Sequence, residues 1–322
     1  MGIIDELPEG RNLAELQERG NRIVDAVRDG HGQFEWATVT TDVGGHRLVW
    51  HPMADALQIE GVRVNVSATD SQRIADLLGA MLPTARLADW LYEAAPAKLA
   101  PQPRPISATT AAMVEHSAAV DRAVAANPPA SLVADPGKAW ILTSKLWQGA
   151  SGIPPGELAA NFGWHVPGPV WQGINANRTP EGLWAIQGGP TGGTRHDRRH
   201  VDYSQVAQLI RRDATLDGQP VDLAAMLVDA DLAHLISSDG PLPEARQPGV
   251  PLEPGGAAGP APPSNGEGGR VVEIEPVTIE AGPPDDSIPQ ARIARAGPTK
   301  TGVVIIASVL ALGALAAALG RG

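Results

Sequence analysis

The chain contains no cysteine. That excludes disulfides, thiol nucleophiles and zinc sites built on thiolates, and it removes cysteine usage as a report on redox compartment. Aromatics are scarce apart from tryptophan: two Tyr and two Phe stand against eight Trp, none of them beyond Trp184. Positive charge is short as well. A formal net charge of −11 argues against a nucleic-acid-binding surface, because phosphate contacts need clustered Lys and Arg. The first ten residues lack a basic start and a long apolar run, and Asp5 and Glu6 come early, so they do not read as a signal peptide. No zinc-protease helix motif, phosphate-binding loop or nucleophile elbow occurs.

What is present divides into three parts. Residues 1–240 carry all the tryptophans and read as one α+β domain, an antiparallel sheet with flanking helices and long loops. Asn12 with Glu15 resembles a capping box, and Leu13, Leu16, Ile23, Val24 and Val27 follow helical spacing. From Phe34 to Val66 the pattern turns β-rich. Gly44-Gly45 and Glu60-Gly61 punctuate it like hairpin turns, as Asp217-Gly218 does later. Thr69 with Gln72, then Thr84, mark the starts of two further helices, and a fourth runs from about Thr109 to Ala125. Ala139-Trp-Ile-Leu-Thr reads as a strand, and Asp222 starts a short helix.

Residues 241–300 are different in kind. The stretch from 240 to 300 holds 13 of the 30 prolines and no Trp, Phe or Tyr, which predicts a disordered linker. Val272-Glu-Ile-Glu alternates like a strand, but Pro276 argues against a free-standing sheet. Residues 301–322 close the chain. Val303 to Gly320 is an uncharged, mostly apolar run of 18 residues, long enough to cross a bilayer as a helix at about 1.5 Å per residue. Ala307 and Ala311, then Gly313 and Ala317, give small-xxx-small spacing that permits a homo-oligomer through this helix. Arg292, Arg295 and Lys300 precede the run and Arg321 alone follows it, which places the N-terminal side in the cytoplasm. The expectation is a single-pass C-terminal anchor; a buried or self-associating soluble helix is the plainer alternative.

Chemistry-bearing residues gather between Phe162 and Ser204. The stretch opens with Phe162-Gly-Trp-His165 and closes with His196-Asp-Arg-Arg-His-Val-Asp-Tyr-Ser204, holding three of the eight histidines. These blocks, with Ala75-Asp-Leu-Leu-Gly-Ala-Met-Leu-Pro-Thr84 and Leu235-Ile-Ser-Ser-Asp-Gly240, resemble a family of uncharacterised bacterial and phage-associated proteins. That family is marked by a Gly-Trp-His block and a later Asp-Tyr-Ser block, and the resemblance covers about residues 34–240. It implies positions rather than a reaction, and a phage or virion setting. Where the family pattern continues with His-Gly, this chain has Gln205-Val206.

Two readings of the site follow from the residues. His165, His200 and Asp202, with His196, could supply ligands for Zn²⁺ and leave a position open for water. Without metal, His200 serves as general base beside a carboxylate, with Asp202 and Tyr203 completing the catalytic set. A helical 195–204 would put His196 and His200 on one face. An extended one, which the flanking residues favour, would separate Ser204 from His200 by about 13 Å and exclude a local triad. Core histidines bonded to backbone carbonyls are the bland alternative. Trp164, Trp171 and Trp184 could stack on sugar rings, and Arg195, Arg198 and Arg199 could hold a carboxylate. The function expected is a hydrolase of cell-envelope material, with a cell-wall polymer as substrate. The alternative is a non-catalytic virion or membrane-associated structural protein.

Overall fold

Side-chain caps set where the helices begin. In the computed structural model, which describes residues 2–127, 130–150, 152–189, 195–256 and 271–273, helix α1 (Leu13–Arg28) starts where Asn12 accepts the Glu15 N–H. Strands β1 (Trp36–Val43) and β2 (His46–Trp50) follow, joined by Gly44-Gly45. Helix α2 (Ala68–Leu78) is capped by Ser67, two residues before the expected Thr69, and ends at Gly79 with φ +60°. Helix α3 (Ala85–Ala94) is capped by Thr84 and α4 (Thr110–Ala125) by Thr109. Each cap satisfies an N–H that the first turn leaves without a partner.

The second half is mainly strands. They are β3 (Lys138–Ile141), β4 (Leu158–Val166), β5 (Asn177–Arg178), β6 (Trp184–Gln187), β7 (Arg195–Asp197), β8 (Gln205–Val206), β9 (Asp213–Leu216) and β10 (Gln219–Asp222). Asp222 then caps helix α5 (Leu223–Val228). Residues Val271–Glu273 form β11. One sheet has the order β10-β9-β2-β1-β11, antiparallel except for β11, which runs parallel to β1. The other has the order β5-β6-β4-β3-β8, with β7 paired to the first half of β4. The fold is therefore α+β with antiparallel sheets and helices, as the periodicity predicts. All three dipeptide turns have positive φ at both central residues, the geometry whose twist matches the strands it joins.

Ile23 and Val24 of α1, Ile74 of α2, and Leu87 and Trp90 of α3 share one core with Trp50, Met53, Trp140 and Phe162. Gly20 in α1 is a contact glycine: a Cβ there would lie 2.3 Å from Asp70 Oδ2.

The linker expectation needs correcting at its start. Residues 241–256 pack onto the fold through polar anchors instead of aromatic ones. The Gln247 N–H donates to Gln72 Oε1 and its amide to Leu158 O, while buried Glu253 accepts from Arg28 and Arg73. Arg246 reaches Asp76, and so does the Glu253 N–H. Proline and glycine content is blind to such contacts. Ending the chain at residue 240 should lower stability by about 3 kcal/mol relative to ending it at 256, because Asp76 and Gln72 lose buried partners. Equal urea midpoints for the two would refute this. The expected membrane helix at 303–320 lies outside the described residues. Among the described residues, no helix is long and apolar enough to cross a membrane.

Candidate functional site

Strand β4 is buried along its whole length, and the Gly-Trp-His block sits at a kink in it. Gly163 has φ +120° and Trp164 has φ +59°. Glycine tolerates that backbone; a tryptophan there is strained by about 1–3 kcal/mol. The kink breaks the alternation of side chains. Phe162 and His165 meet edge to face at 5.9 Å, whereas Trp164 turns away to Lys138 and Tyr203. Gly163 also leaves room for Asp135, whose Oδ1 a Cβ at this position would meet at 3.1 Å.

On the α3 side His165 is clamped between two carboxylates. Its Nε2 lies 2.8 Å from Asp89 Oδ1 and its Nδ1 3.0 Å from Asp135 Oδ2, while its N–H donates to Asp135 at 2.6 Å. Tyr92 stacks on the ring at 4.1 Å. Burial disfavours the proton here, but the two carboxylates outweigh it and push the imidazole up to about 10. His165 is thus an imidazolium whose two nitrogens are both engaged.

The opposite face carries the second cluster. Lys138 and Trp140 alternate onto it from β3. Asn161 lies across from Trp140, Gln205 across from Lys138, and His196 projects beside Ala159. Lys138 is buried, 3.6 Å from Asp202 Oδ2 and over the Trp164 ring at 5.1 Å. Burial lowers its pKa, partly offset by Asp202. Asp202 Oδ1 accepts from the Ser204 N–H at 2.8 Å and the Ser204 hydroxyl at 2.6 Å, and Oδ2 accepts from Gln205 Nε2 at 3.1 Å. Burial alone would raise this carboxyl. His200, Lys138 and Ser204 together outweigh burial and hold it well below the usual carboxylate range. Asn161 is fully buried, and neither its amide nitrogen nor its oxygen has a partner.

His196 and His200 stack at 4.2 Å with planes 5° apart, and the edge of Trp140 meets His196 at 5.9 Å. Burial, then His200 and Lys138, push His196 down to about 4, so it is neutral at pH 7. His200 is half-buried, with Nε2 3.9 Å from Asp202 Oδ2.

Of the residues singled out by sequence, His196, His200 and Asp202 therefore come together, and His165 stands on the other side of β4. Tyr203 points elsewhere: its hydroxyl accepts the Arg104 N–H at 2.7 Å and its ring meets His116. Residues 198–204 turn instead of running extended, so the 13 Å separation inferred for a strand does not hold. His200 and Ser204 both reach the same carboxylate, although Ser204 donates to Asp202 and not to the imidazole. Stacked rings have parallel in-plane lone pairs, which do not converge on one ion. Among the described residues, no group of three or more His, Cys, Asp or Glu side chains is arranged to hold a metal. Sequence reasoning missed Lys138, Asn161, Asp89 and Asp135. The signal available was a polar residue inside an apolar strand, as in Leu158-Ala-Ala-Asn-Phe162. Comparison with family models, curated proteins and solved structures finds no match to this chain.

Proposed function

We propose that the chain is a hydrolase whose acid–base centre is the His196–His200 pair backed by Asp202, acting on a polymer of the cell envelope. The observation that carries the reading is the stack itself: a neutral imidazole against a half-buried one whose Nε2 faces an ionised carboxylate. The Asp202 carboxylate, 3.9 Å from Nε2, favours the ring proton on that nitrogen, leaving Nδ1 to take a proton from water as the water oxygen attacks a carbonyl or glycosidic carbon. The same nitrogen returns the proton to the leaving group. The apolar run at 303–320, read as a membrane anchor, supports a substrate close to a membrane.

A purified full-length chain should clear a cell-wall suspension, and His200→Gln should slow clearing at least about 100-fold with its melting temperature retained. A folded parent that clears nothing, or a variant as active as the parent, sinks the hydrolase. One observation favours a second reading, a non-catalytic structural protein. The hydrogen bonds of Asp202 all run inward, to Ser204, Gln205 and, through its carbonyl, Asn65, which fastens residues 200–206 to the sheet. Loss of stability in Asp202→Asn, with no activity in the parent, would support it.

A further inference from the structure

A cavity of about 380 Å³ opens between α1, the start of α2 and the turn after β7, and neither His196 nor His200 lines it. That volume is in the range of small-ligand sites. Asp70, Arg198 and Arg199 give it both signs of charge.

The acidic wall is Asp70, 8% exposed. Its Oδ2 accepts the Ser67 hydroxyl at 2.6 Å, but Oδ1 has only Arg73 Nη1 at 3.5 Å. The carboxylate reaches this position because residue 20 is glycine. Burial raises the Asp70 pKa, so a cation placed against it would be welcome. The basic wall comes from the turn. Arg198 commits its two terminal nitrogens to Gly249 O and Glu157, leaving Nε buried without a partner. Arg199 commits Nε and Nη2 to Asp197, and among the described residues no atom takes Nη1. Arg73 also lines the cavity; it bonds Glu253 and Asn21 and reaches Asp70 Oδ1 only at the 3.5 Å limit.

An anion alone would face Asp70, and a cation alone would face the guanidinium groups. A molecule carrying both charges satisfies both walls. We propose that this cavity binds an amino-acid zwitterion, an α-ammonium with its carboxylate, as found on a free or diamino acid. The ammonium sits on Asp70 Oδ1, and the carboxylate sits on Arg199 Nη1. Arg198 and Arg199 lie between His196 and His200 in the chain, but neither histidine lines the cavity, so the ligand does not depend on the acid–base centre.

Calorimetric titration of the full-length chain with alanine, N-acetylalanine and alaninamide tests this directly. Alanine should bind about tenfold or more tighter than either blocked form. Asp70→Asn should abolish the advantage of alanine over N-acetylalanine. Arg199→Gln should weaken both, and its half-exposed side chain keeps the test valid if Asp70→Asn fails to fold. No heat with alanine in a folded parent overturns the proposal. So does N-acetylalanine or alaninamide binding as tightly as alanine, or undiminished alanine binding to Arg199→Gln. His200→Gln should bind alanine normally, which separates failure here from failure of the hydrolase reading.

Discussion

Replacing His165 with leucine should destabilise the fold by about 3–5 kcal/mol, seen as a lower urea midpoint at pH 7. Hydrophobic replacement of a buried histidine is often mild. Here it strands Asp89 and Asp135, fully and nearly fully buried, facing each other without the cation that joins them. The Asp135 bond to the His165 N–H survives the change, and so does the Asp89 bond to the Glu181 N–H at 3.2 Å; neither supplies a charge. A pH signature accompanies the loss. The folded ring binds its proton up to about 10, against an ordinary value of 6.5. A raised pKa gives stability that is complete below about pH 6.5 and drains away as pH rises towards 10. The parent should therefore lose several kcal/mol across that window, and His165→Leu should lose much less of it. Parallel pH profiles for the two proteins would show that the clamp is not what the ring does.

Lys138→Met should destabilise by about 3 kcal/mol, the effect of leaving Asp202 ionised and buried without its ammonium. Methionine keeps most of the stem that packs over Trp164, so lost volume contributes little. The hydrogen bonds from Ser204 and Gln205 limit the damage but carry no full charge. In a double-mutant cycle with Asp202→Asn, the coupling should be about 2 kcal/mol. Additive single effects would mean that the 3.6 Å pair contributes nothing beyond each residue's own packing.

The fold was legible where a local rule decides it. Asn12, Thr84, Thr109 and Asp222 cap helices as their residue types predict, and three two-residue turns join antiparallel strands. Ser67 was hidden by Thr69, since both can cap and only packing selects between them. The site was legible in part. His196, His200 and Asp202 lie within one short stretch, so a turn could gather them. His165 could not be assigned, because two consecutive positive φ values in β4 reverse which face each side chain takes. Its partners Asp89 and Asp135 come from a helix and a loop distant in sequence. Residues 241–256 were lost for a similar reason: their anchors are single polar contacts made only in the folded state.

Pairing of residues 271–273 with the edge of β1 brings the last described contact with the fold to within about 30 residues of the apolar run. If residues 303–320 sit in a bilayer, the chain available to span the gap begins after Glu273 and not after Gly240. That leaves roughly 30 residues in place of 60, a reach of at most about 100 Å instead of about 200 Å. Halving the radius cuts the accessible hemisphere to about one-eighth. A domain held in this way would meet only targets close to its own membrane, at a correspondingly higher effective concentration.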